Sequence, residues 1–227
     1  MTDAAALYRL LAWLSPGYPV GAYTYSHGLE QAVEAGLVSD ASSAQDWISD
    51  TVEHGAGLAD AAFLAEAHRA CTTRDERRLG DVKELAAAFC ATRELALETR
   101  AQGAAFIDIT EKAWTTSKLD LLAGCRDAPV TYPVAVGCAA AGHGIGLEAT
   151  VHGYLHAFAA NFISAAVRLV PLGQTDGQRI TAALESVIAE TASRALEIEM
   201  EEVSNAALMV DICSMKHETQ HTRLFRS

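Results

Sequence analysis

Apolar residues recur along the chain at separations of three and four, and no segment shows a convincing two-residue alternation. That pattern predicts helices throughout and no sheet. "DAAALYRLLAWL" is a short apolar helix stopped by Pro16. The stretch "SPGYPVGAYTYSHGLE" breaks the pattern: prolines 16 and 19 bias their neighbours away from helix, and Gly17 and Gly21 loosen the backbone. It opens into a helix, "SHGLEQAVEAG", with Gly36 at its end. Ser39 to Ser43 offers caps for "AQDWISDTVEHGAGLADAAFLAEAHRAC", in which Gly55 and Gly57 mark a kink or a boundary between two helices. "TTRDERRLG" reads as a charged connector. Asp81 then caps one long helix, "VKELAAAFCATRELALETRAQGAAFIDITEKAWT", with Leu95, Phe106, Ile109 and Ala113 on a shared face.

A second punctuated region comes next, "CRDAPVTYPVAVGCAAAGHGIGLE". After it, Val151, Leu155, Phe158 and Phe162 line one face of a helix and Ile163 and Val167 a second, so this helix is predicted to be central; Pro171 and Gly173 end it. Thr175 or Asp176 caps "GQRITAALESVIAETASRAL". An acidic stretch, "EIEMEEVSN", precedes the last apolar segment, "AALMVDICSM". The expected fold is all-α: a single-domain helical bundle, residues 1–227, of about eight to ten helices. It carries an N-terminal aromatic loop (15–26) and a C-terminal tail (214–227).

Composition sharpens this picture. Half of the residues are hydrophobic and alanine is the commonest, which favours closely packed helices. A net charge of −12 opposes nucleic acid and anionic membranes and suits a soluble protein or a basic partner. The most apolar long stretch, "LEATVHGYLHAFAANFISAAVRLVPLG", carries His152, His156, Asn161 and Arg168, which argues against a membrane span. The start does not resemble a signal peptide, and a cytoplasmic protein is expected. Cysteines 71, 90, 125, 138 and 213 are odd in number and form no C-x-x-C, so they read as reduced, small apolar residues.

Candidate chemistry is sparse. "HETQH" places His217, Glu218 and His221 in the H-E-x-x-H pattern of zinc peptidases, where two histidines four apart share a helical face. A metal-dependent hydrolase is thus an alternative reading. It lacks a downstream third ligand, since "TRLFRS" holds no His, Asp or Glu; adventitious metal binding by His217 and His221 is the weaker form of the idea. His152 and His156 are expected to pack or hydrogen-bond. "GHGIG" has no preceding strand and is expected to make a tight turn. Glu197, Glu199, Glu201 and Glu202 read as a solvated face. No catalytic constellation emerges.

What stands out is Tyr18, Tyr23 and Tyr25 in the first loop, and Arg223, Leu224, Phe225 and Arg226 at the other extreme of an acidic chain. Tyr and Arg anchor interfaces. Two readings of the tail remain open: Leu224 and Phe225 fold back on the protein's own core, or they seat against a partner.

These same segments resemble the UreF family of urease accessory proteins. The head "SPGYPVGAYTYSHGLEQAVEAGLV", the middle "RLVPLGQTDGQRI" and the tail "MKHETQHTRLFRS" resemble that family's motifs in order and spacing, across nearly the whole chain. In the family pattern the position of His221 is usually aromatic, which makes the HETQH match a coincidence. The resemblance implies an all-α fold and a non-enzymatic adaptor in the cytosol, with no cofactor held firmly and nickel handled by a complex. Implied partners are the accessory protein UreD or UreH, the GTPase UreG and the urease apoprotein, with a homodimer in the assembly. By motif, Tyr23 and Arg223 match positions implicated in recruiting the GTPase, and His217, Leu224 and Phe225 match the tail that orders against the partner.

Overall fold

The computed structural model describes residues 4–124 and 128–227; Cys125, one of the five cysteines read as reduced, lies outside them. Among the described residues there are eleven α-helices and no strand. In chain order they are α1 (Ala4–Trp13), α2 (Leu29–Glu34), α3 (Ala41–His54), α4 (Ala56–Thr73), α5 (Glu76–Ala88), α6 (Arg93–Ala113), α7 (Asp120–Gly124), α8 (Tyr132–Gly142), α9 (Leu147–Leu169), α10 (Gln174–Glu197) and α11 (Leu208–His217). Two are only five or six residues long, α7 and α2, and the remaining nine match the expected count. No described helix is long and apolar enough to cross a membrane.

The centre is α4 packed on α8. Both are alanine-rich and buried on nearly every face. Small side chains let the two backbones approach closely: a Cβ on Gly137 would lie 2.5 Å from the Leu64 carbonyl oxygen and 3.3 Å from the Ala67 Cβ. Around this pair sit α6 against α8, α9 and α10 against each other, and α3 between α10 and α4. Helix α1 is pinned by Trp13, which is fully buried and meets Phe106 of α6, Trp114 and His143 edge-on. The predicted stripe of α9 is buried as expected at Val151, Leu155, Phe158, Phe162 and Ile163.

Three expectations need correction. First, "TTRDERRLG" is not a connector. Asp75, not Asp81, caps α5, accepting from the Arg78 N–H at 3.0 Å, and Arg78 pairs with Glu66 on α4. Charged residues there serve helix–helix pairing, which periodicity of apolar residues does not detect. Second, the long helix is two helices. Thr92 breaks it by capping α6 through the Leu95 N–H, while its hydroxyl also meets Ser214 of α11 at 2.8 Å. Third, the second punctuated region holds α8. Pro133 sits in its first turn, where proline is tolerated, and its evenly apolar sequence has no face because it has no solvent side. "GHGIG" does form a turn, with Gly144 at φ 66°. Asp176 lies inside α10 and reaches back to the Gly173 N–H at 3.2 Å.

Because Gly137 has no room for a Cβ, Gly137→Ala is expected to destabilise the protein by about 1–3 kcal/mol. Urea unfolding of the two proteins under one buffer checks this.

Candidate functional site

The head loop and the tail, remote in sequence, form one structure. The head turns into α2 through two left-handed residues in a row, His27 (φ 51°) and Gly28 (φ 81°). Gly28 is required twice over, since a Cβ there would lie 2.6 Å from the Ser214 backbone nitrogen of α11. This turn delivers Glu30, the second residue of α2, beneath the tail.

Glu30 is buried, and its carboxylate gathers the tail around it. Oε1 accepts from the Leu224 N–H at 2.6 Å, and Oε2 accepts from the Phe225 N–H at 2.9 Å. Oε2 also lies 3.3 Å from Nε2 of His217, whose side chain is fully buried. The other imidazole nitrogen, Nδ1, is 2.7 Å from Oε2 of Glu94 on α6. Both ring nitrogens of His217 thus face carboxylates that already accept other donors. Glu94 Oε1 accepts from Arg223 at 2.8 Å. The last residues then run along the head: the Arg226 N–H donates to the Thr24 carbonyl (2.8 Å) and the Ser26 N–H to the Ser227 carbonyl (2.6 Å). The Ser227 hydroxyl donates to Glu98 Oε2 at 2.6 Å, and Glu98 in turn pairs with His27 at 2.9 Å. Head and tail thus close into a clasp.

Phe225 is buried, with the Arg168 guanidinium 4.3 Å from its ring centroid. Arg168 also donates to the Tyr23 carbonyl at 2.9 Å, so one side chain holds tail and head together. Leu224 and Tyr23 point outward, 64% and 61% exposed. Of the three head tyrosines, Tyr18 and Tyr25 are buried, and Tyr18 bonds Thr110 at 2.7 Å. The two readings of the tail therefore divide by residue: Phe225 folds back on the core and Leu224 does not.

The zinc-peptidase geometry does not form. Helix α11 ends at His217, and His221 lies exposed beyond a turn, so the two histidines share no helical face. Both ring nitrogens of His217 already face carboxylates. Among the described residues no three His, Cys, Asp or Glu side chains are grouped to hold a metal ion. The four glutamates of the acidic stretch are all exposed, as expected of a solvated face. His152 is half-buried, whereas His156 is exposed and not packed as expected.

Sequence reasoning missed Glu30, Glu94, Glu98 and Arg168. A signal existed in "RELALETRAQ": Glu94, Glu98 and Gln102 recur every four residues and lie on the face of α6 that turns inward. Of the apolar face expected for that helix, Phe106 is buried, while Leu95, Ile109 and Ala113 are not.

Beneath the clasp lies a cavity of about 90 Å³ bordered by His27, Asp60, Cys90, Glu98 and Tyr154. Asp60 accepts from the Tyr154 hydroxyl at 2.8 Å. Burial pushes the Asp60 carboxyl up from 3.8 to about 6, against the lowering effect of the Tyr154 bond and of His27. For His27, burial alone acts downward, but the charge and hydrogen bond of Glu98 prevail and hold its pKa above the ordinary value.

Two outcomes are expected. Glu30→Ala removes the acceptor of two tail N–H groups, and should speed amide exchange at residues 224–225 by about tenfold or more. Asp60 holds its proton more tightly when folded than when unfolded. Its contribution to stability is therefore greatest below about pH 4 and declines as pH rises through about 6. Asp60→Asn should accordingly stabilise the protein by about 1–3 kcal/mol at pH 8, with the difference closing toward pH 4, as read from urea midpoints.

A model of the UreF family matches residues 38–185. Relatives match almost end to end. The "Urease accessory protein UreF" of Bradyrhizobium sp. (strain ORS 278) is 52% identical over 225 residues, 99% of this chain and 93% of its own length. Its namesake from Rhodopseudomonas palustris (strain HaA2) is 52% identical over 225 residues, 99% and 95% of the two chains. That of Bradyrhizobium diazoefficiens is 51% identical over 226 residues, covering 99% and 93%. The family model leaves out both halves of the clasp, but the relatives span them, and with the all-α fold they make the assignment: the chain belongs to the UreF family of urease accessory proteins.

Proposed function

We propose that this chain is a non-enzymatic adaptor for urease maturation in the cytoplasm. In this reading it joins the UreD or UreH accessory protein and the GTPase UreG in a complex, as a homodimer, for GTP-dependent nickel insertion into the urease apoprotein. The observation that carries this reading is the clasp itself. Head and tail, which bear the motifs of the family, are tied into one surface on which Tyr23 and Leu224 remain outward. Exposed Tyr and Leu side chains on a well-buttressed backbone are good anchors, because little conformational entropy is left to lose on binding.

Within that reading the residues divide by task. Tyr23 and Leu224 touch the partners. Arg223 contributes its exposed edge while tethered to Glu94. His217 and Phe225 are buried and act by holding the surface in shape. The acidic surface, with a net charge of −12, favours basic partner faces.

The test is co-purification from cells expressing a complete urease operon. Tyr23→Ala is expected to reduce recovery of the GTPase by about tenfold or more, equivalent to about 1.4 kcal/mol or above, with an unchanged circular dichroism spectrum. Arg223→Ala should act in the same direction and cost less than about 1 kcal/mol of folding stability, because its ion pair is partly exposed. Undiminished recovery of every partner by both variants would reject the adaptor surface.

A further inference from the structure

Cys71 in the last turn of α4 and Cys138 in the middle of α8 face each other across the contact between these two central helices. Their sulfurs are 2.9 Å apart, and both residues are fully buried. No disulfide joins them. A covalent S–S bond is about 2.05 Å, so the sulfurs need to close by only about 0.9 Å. The approach is set by the backbone, since Gly137, adjacent to Cys138, packs against Leu64, Ala67 and His68 of α4. Neither sulfur takes part in the clasp or borders the cavity beneath it.

We propose that Cys71 and Cys138 are a redox-responsive pair, two thiols in the resting protein that a peroxide converts into a disulfide bolting α4 to α8. Cys71 is the thiol that reacts first. Its hydrogen bond with Cys138 and the nearby charge of Lys118 favour the thiolate against the opposing effect of burial, and the Lys118 ammonium donates to the Cys71 carbonyl. The Cys71 thiolate attacks one oxygen of hydrogen peroxide; the O–O bond breaks, and the departing hydroxide takes up the thiol's proton as water, leaving a sulfenic acid. The Cys138 sulfur then attacks the Cys71 sulfur; the S–S bond forms, the S–O bond breaks, and the hydroxyl leaves as a second water with the Cys138 proton. Two thiols have been oxidised by two electrons and one peroxide reduced. In contrast, burial raises the pKa of Cys213, and that of Cys90 to about 11, so these are poorer nucleophiles.

The purified chain is treated with hydrogen peroxide, quenched by alkylation and digested without reductant. The expected result is loss of two of the five thiols. A single cross-linked species should join the peptides containing residues 71 and 138, lighter by two hydrogens and restored by dithiothreitol. In Cys138→Ala, Cys71 should instead be captured by dimedone as the sulfenic acid. Oxidation confined to Cys90, Cys125 or Cys213, a cross-link between other positions, or five thiols surviving peroxide would each overturn the proposal. So would a Cys138→Ala protein whose Cys71 is never labelled.

Discussion

The carboxylate of Glu30 is the point on which the surface depends. It accepts the backbone N–H groups of two consecutive tail residues and faces the imidazole of His217. A peptide running in extended form has no helical partners for its N–H groups, so it needs an acceptor wherever it is buried. One carboxylate meets that requirement for both residues, and Glu94 completes the arrangement from α6. Neutralising or shortening Glu30 would leave Phe225 with an unanswered donor in a dry site, which is costlier than losing an exposed ion pair.

The interior follows the same logic at larger scale. An all-α protein with an alanine-rich centre packs α4 and α8 closely and gathers a group of polar side chains where α4, α6, α9 and the head meet. His27, Asp60, Glu98, Gln102 and Tyr154 occupy that junction, and each has a polar partner there. Buried polar groups of this kind add little stability, but they penalise misplacement heavily. The apolar half holds the fold; the polar half fixes where the two ends of the chain sit.

The buried stripe of α9 was legible from periodicity, whereas on α6 only Phe106 of the expected apolar face is buried, because polar Glu98, Gln102 and Thr110 occupy its inward side. Helix α8 was not legible, because a helix enclosed on all sides has no period to detect and its proline and glycines read as a loop. The break at Thr92 was hidden by good helix formers on both sides of it. In the site, Tyr23, His217, Arg223, Leu224 and Phe225 stood out by residue type and by family resemblance. Their supports did not: Glu30, Glu94 and Glu98 look like ordinary surface acids until tertiary packing turns them inward. The HETQH motif shows the converse, since spacing of four means a common face only while the helix lasts, and this one stops at its first histidine.

The clasp joins residues 201 apart in the chain, Ser26 and Ser227. A ribosome therefore makes the head long before the tail residues that meet it, and a chain without those residues has no closed clasp. Closing so long a loop comes late in folding, when the intervening bundle already holds the two segments near each other. A closed clasp thus reports that both segments have been made and the bundle between them has folded, a form of proofreading that needs no separate factor.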